Sequence, residues 1–277
     1  MDCELWGCDF SSAPSRRKPI VLACGRLQVG CVRLDRIETF ETLAAFGARL
    51  SEPGSWLGGF DLPFGLPREL VQILGWPGDW LACMRHYAAL SRAEIRDAFA
   101  AFCAARPAGG KFAHRATDRP AGSSPSMKWV NPPVAFMMHA GLPLLLDAGV
   151  SLPGLHEADP ARIALEAYPG LLARSVLGAR SYKSDDRRKQ TPARLAARQD
   201  LLATLEEGSA PLLRASGLRL ALDDPQRQCL LADASGDQLD AVLCLLQAAW
   251  ALRQHEAGHA RYGLPDFDPM EGWIVSA

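Results

Sequence analysis

The sequence predicts an α/β fold in which a mixed five-stranded sheet is flanked by helices, and three observations predict it. Five short runs with strand character are each bounded by polar or turn residues. Two of these runs form a hairpin, and a stretch with helical spacing then leads to the next strand. That order suits a mixed sheet whose first and fourth strands are parallel neighbours. Residues 235–250 are apolar nearly all round and read as a buried helix.

The elements follow in order. Glu4-Leu-Trp-Gly-Cys-Asp9 is a continuous apolar run that ends in a carboxylate, followed by the hydroxyls of Ser11 and Ser12. Such a run suits a central strand covered on both faces. A Pro/Arg/Lys-rich loop (13–19) precedes strands at 20–23 and 28–34, joined by a turn at Cys24-Gly-Arg26. Residues 40–50 have helical spacing, and 56–62 form a strand carrying Asp61 near its end. From residue 68 to about 155 the strand rhythm stops, which predicts a helical insertion within a single domain spanning 1–277. Helices are expected at 68–74 and 92–105, then a long Gly/Pro/Ser-rich loop bearing Lys111, His114, Arg115, Arg119 and Lys128. Residues 162–169 form a strand with Glu166 near its end, and 171–177 a helix. Thr191-Pro192 opens a helix running to about Glu207, with proline in its first turn. Residues 271–275 read as a further short strand in the tail, beyond those five.

The bulk numbers narrow the function classes. Of 277 residues, 48% are apolar and 22% charged, as in an ordinary globular protein. The net charge of −1, from 30 basic and 31 acidic residues, excludes a generally basic nucleic-acid binder but allows a local basic surface. Eight cysteines without a Cys-x-x-Cys pair read as buried hydrophobes in a reducing compartment. Asp2 and Glu4 do not suit a signal peptide, and no apolar run reaches membrane-spanning length, so the expectation is a cytoplasmic protein.

The carboxylates carry the chemistry. Asp9, Asp61 and Glu166 each end a strand, and Asp237 and Asp240 lie on one face of the first turn of the last helix. Acids there also cap helices and suit the helix dipole. Asp240, however, lies among Leu239, Ala241, Val242 and Leu243, where an unpaired charge is costly. Clustered carboxylate oxygens select Mg²⁺ or Mn²⁺, and such clusters run two-metal phosphodiester hydrolysis.

The motifs Gly7-Cys-Asp-Phe-Ser11, Phe60-Asp-Leu-Pro-Phe-Gly-Leu-Pro67, Glu166-Ala-Tyr-Pro169, Tyr182-Lys183 and Asp237-Gln-Leu-Asp-Ala241 resemble the domain-of-unknown-function 429 family. The resemblance runs from Gly7 to Trp273. It implies an RNase H-like fold related to RuvC-type resolvases, and a divalent-metal-dependent nuclease. Carried across, it implies Asp9, Asp61, Asp237 and Asp240 as metal ligands and Glu166 as a further ligand or general base. Lys183 would contact a phosphate.

The remaining charges fit a nucleic-acid or phosphorylated small-molecule partner. Arg180, Lys183, Arg187, Arg188 and Lys189 form a basic run, to which Lys128 and the other insertion-loop cations add, with Ser11 and Ser12 as further phosphate contacts. Asp185 and Asp186 within that run also fit a solvated loop. A non-catalytic nucleic-acid or nucleotide binder, or a phosphotransferase, would use the same fold. His255-Glu-Ala-Gly-His259 satisfies the zinc-peptidase pattern, which requires a helix running through both histidines.

Overall fold

Strand β1 (Glu4–Asp9) sits at the middle of the sheet because its alternate side chains serve two different cores. The computed structural model describes residues 3–277. β1 pairs antiparallel with β2 (Ile20–Gln28), which pairs antiparallel with β3 (Cys31–Phe40). The hairpin therefore turns at Val29 and Gly30, with φ of 47° and 78°, and not at the expected Cys24-Gly-Arg26. Gly25 instead marks an irregularity in the register between Cys24 and Gly25, another role of glycine inside a strand.

Helix α1 (Leu43–Leu50) is capped by the Thr42 side chain, which accepts from the Ala45 amide, and leads into β4 (Trp56–Phe60), parallel to β1 as expected. The insertion then forms α2 (Arg68–Leu74), α3 (Trp80–Ala89), α4 (Arg92–Ala104), α5 (Asp118–Ala121) and α6 (Val134–Asp147). A short β5 (Val150–Ser151) precedes β6 (Asp159–Glu166), which lies parallel to β4. The rest of the chain is α7 (Pro169–Leu177), α8 (Pro192–Glu207), α9 (Pro211–Ser216), β7 (Arg219–Ala221), α10 (Asp224–Ala232) and α11 (Asp237–Glu256).

The chain is thus α/β, with a mixed sheet flanked by helices, in the order β5-β6-β4-β1-β2-β3-β7. Seven strands replace the expected five. The two additions, β5 and β7, stand at the outer edges and are two and three residues long, too short for periodicity to reveal. Residues 271–275 do not form a strand. Their link to the sheet is one bond, from the Val275 amide to the Glu166 carbonyl at 2.8 Å.

Leu5, Leu57 and Leu165 face a core built with α11, α7 and α8, whereas Trp6, Cys8 and Phe60 face the core shared with the insertion. On the insertion side Trp6 stacks on Trp56, with centroids 4.2 Å apart. On the other side α11 lies directly on the backbone of the strands. A Cβ on Gly7 would stand 2.1 Å from the Ala241 carbonyl oxygen and the Leu245 amide, and one on Gly59 would stand 2.6 Å from the Cys244 carbonyl oxygen. Glycine at both positions allows that contact. Among the described residues, no helix is long and apolar enough to cross a membrane, and the cysteines are free thiols.

Candidate functional site

The ends of three parallel neighbours meet at one edge of the sheet. Asp9 is the last residue of β1, the Asp61 amide donates to the Cys8 carbonyl at 2.9 Å just past β4, and Glu166 closes β6 in register with Phe60. Open α/β sheets bind ligands in the crevice beyond such strand ends. Here that crevice is a cleft of about 390 Å³, and Asp9, Asp61, Ser11, Ser12, Lys18 and Lys183 help to line it. Arg115, Glu166 and Tyr168 form part of its wall.

Helix α11 brings the other two acids to the rear of this cleft. Its start is fixed by Asp233, whose carboxylate accepts from the amides of Ser235, Gly236 and Gln238. Asp233 therefore supplies the capping contacts, and Asp237 is released from that duty. Asp237 instead pairs with Lys18 at 2.6 Å, and Lys18 also reaches Asp185 at 3.0 Å. Asp240, fully buried, accepts from the Tyr182 hydroxyl on one oxygen and from the Lys183 ammonium on the other. Lys18 and Lys183 face the cleft, with these two acids behind them.

Asp9 and Asp61 differ from the other acids. No described residue donates a hydrogen bond to either carboxylate. Burial, then the charges of Asp240, Asp61 and Asp237, push Asp9 well above the usual carboxylate range, against the pull of Lys183. Burial and Asp240 likewise raise Asp61 to about 7, with Glu166 adding to the rise. Burial also raises Asp240, opposed by Lys183 and Tyr182. Burial disfavours the charged form of Lys183, but Asp240 and Asp9 outweigh it and hold the ammonium firmly protonated. Asp240 thus raises both strand-end acids, and Asp61 raises Asp9 further.

Glu166 is held in place by its partners. Its two oxygens accept from Arg115 at 2.6 and 2.8 Å, and one also accepts from the Phe64 amide at 2.9 Å. Arg115 is itself buried and bonds Asp118, so an insertion-loop cation sits between two buried carboxylates. The C-terminal tail closes over this group: the Glu271 side chain accepts from Ala116, and the Ile274 amide donates to the Thr117 hydroxyl.

Compared with protein-family models, with curated proteins and with solved structures, the chain matches none. Its own geometry is what bears on function. Of the phosphate contacts expected from the sequence, Ser11, Ser12 and Lys183 line the cleft. Lys128, Arg187 and Arg188 are outside its lining, the two arginines on an exposed 3₁₀ turn. The zinc-peptidase pattern lacks its helix: α11 ends at Glu256, Gly258 takes φ of 98°, and His259 falls outside. His255 stacks on Tyr262 instead, at 4.5 Å. Among the described residues, no group of three or more His, Cys, Asp or Glu side chains is disposed to hold a metal ion.

Sequence reasoning missed Lys18, which lay in what read as a plain turn, and its only signal was a cation shortly after the Asp9 motif. It also missed Gln247, the buried amide of α11 that accepts from Tyr168 and donates to the Val275 carbonyl, joining the end of β6 to the tail.

Proposed function

We propose that this chain is a divalent-metal-dependent phosphodiester hydrolase with an RNase H-like core, as its resemblance to the domain-of-unknown-function 429 family implies. The observation that carries the reading is the pair Asp9 and Asp61: two neighbouring carboxylates, free of hydrogen-bond donors, facing a cleft that two lysines also line. The three-strand meander β1–β3, extended through β1 by parallel β4 and β6, supports the fold assignment.

The residues fit Mg²⁺ or Mn²⁺ in a specific way. Mg²⁺ is commonly bound through one or two carboxylates, with water and substrate phosphate completing its shell. Asp9 and Asp61 would provide those carboxylates, whereas Asp237 and Asp240 are already satisfied by Lys18, Lys183 and Tyr182. Asp240 and Asp237 would join the ligand set only where these lysines turn outward to a phosphate. The bound ion would polarise the phosphoryl oxygen and offset the repulsion between the acids.

The chain's own groups do the rest. Lys18 and Lys183, with Ser11 and Ser12, would hold the non-bridging oxygens of a phosphate against the acids. Glu166, neutralised by Arg115, supports the cleft wall without adding a free charge. The test is Mn²⁺-supported cleavage of a panel of structured and single-stranded DNAs and RNAs, with Asp61→Asn alongside. Cleavage that requires Mn²⁺ and is lost in the variant is expected. Cleavage that survives either chelator or the substitution would refute the proposal.

A further inference from the structure

A second cavity, of about 210 Å³, opens on the other side of Asp61 and Lys183. It shares Asp61, Tyr168 and Lys183 with the main cleft, so the two spaces meet at the acids. Its remaining charged residues are Arg174 and Arg180, giving three cations against one carboxylate. The lining of this cavity therefore carries a net positive charge. The first turn of α7, Pro169 and Gly170, forms another wall and adds the positive end of a helix.

Arg174 is held in place, Arg180 is loosely tethered, and both have donors to spare. Arg174 lies over the Tyr168 ring at 5.2 Å, donates to its hydroxyl at 3.2 Å, and reaches the Ala121 carbonyl. Gly170 makes room for that ring, since a Cβ there would stand 2.7 Å from it. Among the described residues, Arg180 is paired with Asp200 alone, at 2.6 Å, and both side chains are half exposed, so the pair is weak. Each guanidinium has five N–H donors in a planar fork suited to phosphate, and these contacts leave several free.

We propose that this cavity is a phosphate subsite for the nucleotide next to the one attacked, so that the substrate is an oligonucleotide strand and not a phosphomonoester. The inference rests on the phosphodiester reading above and extends it. A strand would place one phosphate against Asp9 and Asp61 and its neighbour between Arg174 and Arg180. A small monophosphate would fill only the first position.

The test measures binding without chemistry. A fluorescently labelled single-stranded deoxythymidine decamer is titrated with the full chain in chelator, and anisotropy is followed over a range of salt concentrations. Arg180→Gln is expected to weaken binding about threefold to tenfold and to lower the salt slope by about 0.7, the contribution of one phosphate contact on a single strand. Arg174→Gln is expected to act in the same direction. Asp200→Asn, which frees Arg180, is expected to tighten binding, an effect that loss of structure would not produce. Binding of thymidine monophosphate is expected to be the same in Arg180→Gln as in the wild type. Wild-type affinity and slope in the Arg180 and Asp200 variants, or no binding of the decamer by the wild type, would overturn the subsite. The Asp61→Asn cleavage assay judges hydrolysis separately. Loss of Mn²⁺-dependent cleavage alone leaves the subsite standing, and loss of arginine dependence alone leaves hydrolysis standing.

Discussion

Replacing Asp61 by Asn removes a charge that the fold holds at a cost. The carboxyl is raised from 3.8 to about 7, because it is buried beside Asp240. A raised acid contributes stability that is complete below its unfolded pKa and is lost as the pH climbs through the folded value. The window for Asp61 therefore runs from about pH 4 to about pH 7. Three pKa units correspond to about 4 kcal/mol as a ceiling. Partial solvent access at the cleft and a titration shared with Asp9 and Asp240 reduce this to about 2 kcal/mol. Asp61→Asn is thus expected to be more stable than the wild type at pH 8, by an amount that shrinks steadily towards pH 5, while losing activity. Urea denaturation in chelator at pH 5, 6, 7 and 8 measures it, with equal m-values confirming that the same transition is compared. A constant difference between the two proteins across that range would refute the assignment of a strained, ionised acid to this position.

Two further outcomes follow from the packing. Arg115→Met leaves Asp118 and Glu166 buried without their shared cation, at an expected cost of about 3–5 kcal/mol in denaturant unfolding. Adding Glu166→Gln is expected to recover part of that loss, and a double variant no more stable than the single one would contradict the pairing. Gly7→Ala places a methyl group 2.1 Å from backbone atoms of α11, which have no rotamer to yield with. A loss of about 3 kcal/mol or more is expected, and a calorimetric Tm equal to that of the wild type would contradict the contact.

The strand-end acids were legible because a carboxylate after an unbroken apolar run is conspicuous, and β1, β4 and β6 all carry one. The long apolar helix was equally plain, since α11 is buried around nearly its whole circumference. What the acids do with their neighbours was hidden. Salt bridges such as Lys18–Asp237 join residues more than two hundred positions apart, and no local pattern encodes them. The capping role of Asp233 was masked by Asp237, which stands where a cap is commonly sought. The hairpin turn was misplaced because Gly25 read as the turn residue and Gly30 as part of the next strand, and only strand pairing separates them. Edge strands of two and three residues leave no period to detect.

The hydrogens of Gly7 and Gly59 set the height of α11 above the sheet, and with it the gap between Asp240 and the two strand-end acids. A single methyl inserted there would work like a shim beneath a machine part. It would lift one acid away from the others while every residue facing the cleft kept its identity. The charge balance at this centre can therefore be tuned from underneath, at positions that do not line the cleft.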